Sequence, residues 1–216
     1  MLHVEGLSKS YGGRKILEPV SFFLPAGYCL GITGANGAGK STLLRLVAQQ
    51  EKPDSGTVRF GGVSVLGNRQ FMREQVGYVP QQNDLMEELT VYQQLKLWQS
   101  ACGLSGPLPE DILSVLQIHP MLKKRIKTLS GGMQRRVSIT MALLARPSIL
   151  ILDEATAGLD RSYRDAFLFY LEQFLIGGGR ILFCSHDPEE LNRLCGSYLH
   201  LQEGHVTEDP QITVSE

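Results

Sequence analysis

Apolar residues follow two rhythms along this chain. The runs at 2–7, 16–24, 28–33, 57–60 and 76–79 alternate or are continuously apolar, and Gly and Pro break them, which predicts short strands. Near residue 90 the period lengthens. Val91, Leu95, Trp98 and Cys102 are spaced by four, three and four, one face of an amphipathic helix. Gly103-Leu104-Ser105-Gly106-Pro107 breaks it. Ile112, Leu113, Val115 and Leu116 predict a second helix ending near His119-Pro120, and a third runs from Ser130 to about Ala145, before Pro147. Strand-like runs return at 149–152 and 180–185, separated by a helix from about Asp160 to Ile176 that Gly177-Gly178-Gly179 stops. A last helix near 187–195 leads into short strands near 198–206. This order predicts an α/β core at 1–82 and 147–206, interrupted by a helical insert at 83–146. The tail at 207–216 is polar and acidic and is expected to be disordered.

Composition narrows the function classes. The 216 residues suffice for one sizeable core or two small lobes. A formal net charge of -1 gives no global basic field, so no nucleic-acid partner is expected. The basic stretch Lys123-Lys124-Arg125-Ile126-Lys127 reads as a solvated face. Cysteines 29, 102, 184 and 195 form no C-x-x-C pair and read as reduced thiols packing as small hydrophobes. The first residues lack the basic and apolar regions of a signal peptide. No stretch approaches the roughly 18 apolar residues that span a bilayer. The chain is expected to be soluble by itself.

Gly34-Ala35-Asn36-Gly37-Ala38-Gly39-Lys40-Ser41 fits the phosphate-binding pattern G-x-x-x-x-G-K-[ST]. Glycines 34, 37 and 39 permit the tight turns of an anion nest to which Asn36, Ala38 and Thr42 also belong. The strand-like Tyr28–Thr33 precedes the loop and a helical stretch, Ser41–Ala48, follows it. That context puts a helix N-terminus under the phosphates. Lys40 is expected to reach the β- and γ-phosphates of a nucleotide, and Ser41 to ligate Mg²⁺. Ile149-Leu150-Ile151-Leu152-Asp153-Glu154 is a buried-type strand delivering two acids to its C-terminal end, where α/β ligands bind. Asp153 is expected to hold Mg²⁺ and Glu154 to polarise the attacking water. His186 follows the strand-like Arg180–Ser185 and is expected at the same edge. The competing readings are a glycine-rich turn, a strand end with two solvated acids and a polar cap.

Leu129-Ser130-Gly131-Gly132-Met133-Gln134 resembles the signature of ATP-binding cassette (ABC) ATPases. Over about residues 2–206 the chain is similar to the nucleotide-binding domain of ABC transporters. The resemblance implies a P-loop ABC ATPase core with a mixed sheet and an inserted helical subdomain. It implies adenine stacking by Tyr11, Mg²⁺ or water sensing by Gln81, and contact of Ser130, Gly131 and Gly132 with the γ-phosphate of an opposite subunit. Ala157-Gly158-Leu159-Asp160 resembles the D-loop, and His186 the switch histidine. Met133 and Ala155 depart from the common Gln and Pro. By resemblance the chain is a Mg²⁺-dependent ATPase that pairs with a second copy or a paralogue. It would lie on the cytoplasmic face of the membrane against a separate integral membrane permease, and its form is similar to drug, peptide or polysaccharide exporters. A soluble ABC-type machine and a non-hydrolysing nucleotide-binding regulator are the alternatives. The strip from Gln81 to Val91, with Leu85, Met86 and Leu89, is either the permease-docking surface or ordinary packing of the insert.

Overall fold

The computed structural model describes residues 1–208. The strands are β1 (Leu2–Tyr11), β2 (Arg14–Leu24), β3 (Cys29–Gly34), β4 (Ser55–Phe60), β5 (Val63–Ser64), β6 (Val76–Val79), β7 (Ile149–Asp153), β8 (Arg180–Cys184), β9 (Ser197–Gln202) and β10 (His205–Glu208). The helices are α1 (Lys40–Val47), α2 (Arg69–Gln75), α3 (Val91–Ala101), α4 (Glu110–Val115), α5 (Gly131–Leu143), α6 (Arg161–Ile176) and α7 (Pro188–Leu194). One sheet has the order β2-β1-β4-β5 and is antiparallel. The other has the order β10-β9-β3-β8-β7-β6, parallel from β9 to β6 with β10 antiparallel at its edge.

Sequence pattern explains the difference between the sheets. In β1, Leu2 and Val4 are buried while His3 and Glu5 are exposed, the alternation of a sheet with one wet face. All five residues of β7 are buried, as a central strand of a parallel sheet requires. Along β7 and β8 successive side chains enter opposite cores. Ile149, Ile151, Leu182 and Cys184 join α1 and the antiparallel sheet through Leu43, Leu44, Leu17 and Val20. Leu150, Leu152, Ile181 and Phe183 join α6 through Phe167 and Leu171. Val91, Leu95, Ile112, Leu116 and Ile139 belong to that second core too. The helical stretch therefore packs directly on one face of the parallel sheet.

Two expectations need correction, and two short elements add to them. The buried face of α3 is Val91, Gln94, Leu95 and Gln99, and Trp98 is 38% exposed. The two glutamines go inside because each binds a loop: Gln94 Oε1 accepts from the Met86 N–H (2.9 Å), and Gln99 Nε2 donates to the Pro107 carbonyl (3.1 Å). The short α2 and β5 carry no apolar stripe and went unpredicted. Asn68 caps α2 by accepting from the Phe71 N–H. The final strand continues through Thr207 to Glu208, paired with His200. The rest of the expected tail lies outside the described residues.

Candidate active site

Four adjacent parallel strands end at one edge and deliver the site. In sheet order, β3 runs into the glycine loop, β8 into Ser185-His186, β7 into Asp153-Glu154 and β6 into Pro80-Gln81. The register places Asp153 beside Cys184 and Leu152 beside Phe183, so the chemistry-bearing residues emerge at one level.

The glycine loop closes onto β9. Gly34 has φ 135, and a Cβ there would lie 2.1 Å from the Leu201 carbonyl oxygen, so only glycine fits. Lys40 is the first residue of α1 and is buried. Its Nζ donates to the carbonyls of Gly34 (2.7 Å) and Ala35 (3.0 Å), which holds the ammonium over the loop.

Asp153 and Glu154 have different surroundings. Asp153 is 1% exposed, and its Oδ1 is buried without a hydrogen-bond partner. Burial pushes its carboxyl up from the ordinary value, and a hydrogen bond from Ser41 pulls it back. Glu154 Oε1 lies 2.9 Å from His186 Nε2 and 3.4 Å from Gln81 Nε2. Its backbone is left-handed, φ 52, a conformation that costs a non-glycine residue roughly 1–3 kcal/mol and persists only where neighbours fix it. Its N–H donates to the Cys184 carbonyl (2.9 Å). The structure thus brings Glu154, His186 and Gln81 into one cluster and Ser41 against Asp153.

The other expected site residues lie around this centre. Ser130 caps α5, its Oγ accepting from the Met133 N–H at 3.3 Å. A Cβ on Gly132 would lie 2.6 Å from the Gly158 carbonyl, so the start of α5 packs closely on the 157–160 turn. Tyr11 ends β1 at the turn into β2, its hydroxyl bonded to Glu51 and Lys9 Nζ 5.5 Å from its ring centroid.

Three buried charges lie outside the set that the sequence singles out: Glu190, Arg135 and Arg136, the last donating to the Leu116 and Gln117 carbonyls. Glu190 Oε2 accepts from Thr156 Oγ1 (2.7 Å) and Ser185 Oγ (2.6 Å), which ties the segments after β7 and β8 together. Arg135, on α5, donates to carbonyls of both the β6 and β7 loops. Burial pushes its guanidinium down to about 10, so it stays charged at neutral pH. A signal for Arg135 was available. It shares a helical face with Ile139 and Ala142, four and seven residues on, and a charge on an apolar stripe needs a partner.

A sequence profile described as ABC transporter matches residues 17–157. The chain belongs to the ABC transporter family. Among this family member's relatives is the Nod factor export ATP-binding protein I of Ralstonia nicotianae, 34% identical over 94% of this chain and 65% of that protein. The linearmycin resistance ATP-binding protein LnrL of Bacillus subtilis is 33% identical, covering 95% of this chain and 68% of its own length. A solved structure titled as an ATP-binding subunit of an ABC transporter is 31% identical. It has a TM-score of 0.87 over 96% of this chain and 88% of that one. The chain spans just under two thirds of the Nod factor export protein. Its fold is the α/β ABC cassette core with a mixed sheet. Among the described residues no helix is long and apolar enough to cross a membrane.

Proposed function

We propose that this chain binds and hydrolyses ATP to drive export through a separate integral membrane permease. The observation that carries the reading is the cluster at the parallel sheet's edge. A Glu154 carboxylate held by His186 and Gln81 stands beside a buried Asp153 paired with Ser41. The glycine loop, on the strand two places away in the sheet, would take the phosphates through its N–H groups, with Lys40 reaching the β- and γ-oxygens. Glu154 would orient and polarise the attacking water, and His186 would hold that carboxylate in place. Tyr11 would offer its ring to the adenine. Export is carried over from the names of the relatives.

The donor set fits Mg²⁺. Asp153 Oδ1 is an unpartnered buried oxygen, and Ser41 supplies a hydroxyl beside that carboxylate. Cys184, which lies with Asp153 and Glu154, is pushed up to about 12 by burial and the Asp153 charge, so it remains a neutral thiol and a poor ligand for a hard ion. Bound at Asp153 and Ser41, Mg²⁺ would neutralise charge developing on the phosphates. The folded-state pKa of Asp153 lies above its unfolded value. Its ionised form therefore costs stability above the folded pKa, and that cost vanishes as pH falls below the ordinary carboxylate range. Asp153→Asn removes the charge with little change of shape. In EDTA at neutral pH it should melt a few degrees higher, about 2–4 °C for ~1 kcal/mol in a domain of this size. With Mg²⁺ its hydrolysis should fall about 10²-fold or more. A lower melting temperature together with full activity would remove Asp153 from the metal site.

The signature residues Ser130, Gly131 and Gly132 would meet the γ-phosphate held by a second copy or a paralogue, giving an ATP-sandwich dimer. Residues 83–146 would act as the lobe that presents them. On the strip after Gln81, Leu85 packs against the core while Met86 is 56% exposed, so Met86 is the residue offered for docking. The assembly would sit on the cytoplasmic face of the membrane through the permease. The test is pull-down from native membranes with the intact chain and with Met86→Glu. A multi-span protein recovered by the first and lost by the second, with ATPase activity equal in both, supports the reading. Recovery of no membrane protein by the intact chain overturns it in favour of a soluble ABC machine.

A further inference from the structure

Arg135 joins three parts of the site that sequence treats separately. Its Nε donates to the Ala155 carbonyl (2.9 Å), and its Nη2 donates to the carbonyls of Asp153 (2.9 Å) and Glu154 (2.7 Å). Its Nη1 donates to the Pro80 carbonyl and reaches the Gln81 carbonyl (3.4 Å) and Asn83 Oδ1 (3.3 Å). Arg135 is 3% exposed. A guanidinium has five N–H donors in a fixed plane, and here every nitrogen is spent on the two loops that flank Glu154.

We infer that Arg135 is a positioning residue for ATP hydrolysis: from the signature helix, it fixes the backbone on both sides of the Glu154 carboxylate and so sets where that carboxylate points. The inference deepens the proposed role of Glu154 and rests on it. The left-handed Glu154 backbone is pinned at its N–H by the Cys184 carbonyl and at its own carbonyl by Arg135. Gln81, which approaches the same carboxylate from the other side, has its carbonyl within reach of the same guanidinium. Loss of the fork frees both loops at once, while the glycine loop and Lys40, which bind phosphate, keep their own hydrogen bonds. The arrangement also links the two halves of the motif set. Arg135 lies five residues after Ser130 on α5, about 7.5 Å along the helix axis, so a displacement of the signature end pulls directly on the Glu154 carbonyl.

The test compares Arg135→Gln and Arg135→Lys with the intact chain and with Glu154→Gln, each checked by thermal melting. Steady-state ATP hydrolysis gives kcat and KM, and labelled ATP gives the affinity. A carboxylate displaced by about 1 Å loses roughly 10²-fold in turnover. Arg135→Gln should therefore lose about that factor in kcat with KM and ATP affinity unchanged, and Arg135→Lys should recover part of it. A residue that only supports packing would lower the melting temperature and spare the kcat of the folded fraction. Folded variants with near-intact kcat, or failure of both variants to fold, overturn the inference. If Glu154→Gln is itself fully active, the reading of Glu154 fails instead, and the outcome is distinguishable because Arg135 is then compared with a working carboxamide.

Discussion

Glu154→Gln should bind ATP as the intact chain does and hydrolyse it about 10²–10⁴-fold more slowly, the range that general-base assistance supplies. The geometry makes this a clean substitution. The carboxylate Oε1 sits 2.9 Å from His186 Nε2 and 3.4 Å from Gln81 Nε2. A carboxamide has the same shape and still offers an oxygen to His186, so the backbone at φ 52 and the neighbouring loops keep their places. What disappears is the negative charge and the basicity. Phosphate release measures turnover and equilibrium binding of labelled ATP measures affinity. With hydrolysis blocked, an ATP-bound dimer should accumulate in sedimentation experiments. Near-wild-type turnover would mean that another group activates the water.

The parts of this molecule that sequence reveals are those whose physics is local. Strand β7 is legible because four aliphatic residues in a row followed by two acids can satisfy a doubly buried strand and little else. The glycine loop is legible because Gly34 must avoid the Leu201 carbonyl and the chain announces it with glycine. Strand order is not local. That Glu154 and His186 meet depends on β7 lying next to β8 with Asp153 opposite Cys184, and nothing in either segment states that pairing. The strand-end positions place Glu154 and His186 at one sheet edge, and the contact between them is seen only in the fold. The inward face of α3 was misread for a related reason. Gln94 and Gln99 look like surface residues until the Met86 amide and the Pro107 carbonyl are seen to need partners. Arg135 differs: its place on an apolar stripe announces that it needs partners, but those partners are backbone carbonyls that no side-chain pattern identifies. Elements too short to carry a period, such as α2 and β5, give a hydrophobic count nothing to detect.

Lys40→Ala should lose the nucleotide itself, the opposite signature from Glu154→Gln. Among residues 34–42 Lys40 is the one cationic side chain, and it is held at the loop by its bonds to the Gly34 and Ala35 carbonyls. The N–H groups of the loop and the N-terminus of α1 contribute partial charges to a phosphate, whereas the ammonium contributes a full one. A hydrogen bond to a charged group contributes about 1.5–3 kcal/mol, which corresponds to about 10- to 10²-fold in Kd. The fold should tolerate the change, because Gly34 is only half-buried and Ala35 is exposed, and water can replace the ammonium at their carbonyls. Binding of labelled ATP to Lys40→Ala, with a melting curve to confirm folding, measures the effect. The Glu154→Gln protein in the same assay supplies the contrast, retaining affinity while losing turnover. Unchanged affinity in a folded Lys40→Ala protein would place the phosphates away from this loop and remove the basis for every other assignment at the sheet edge.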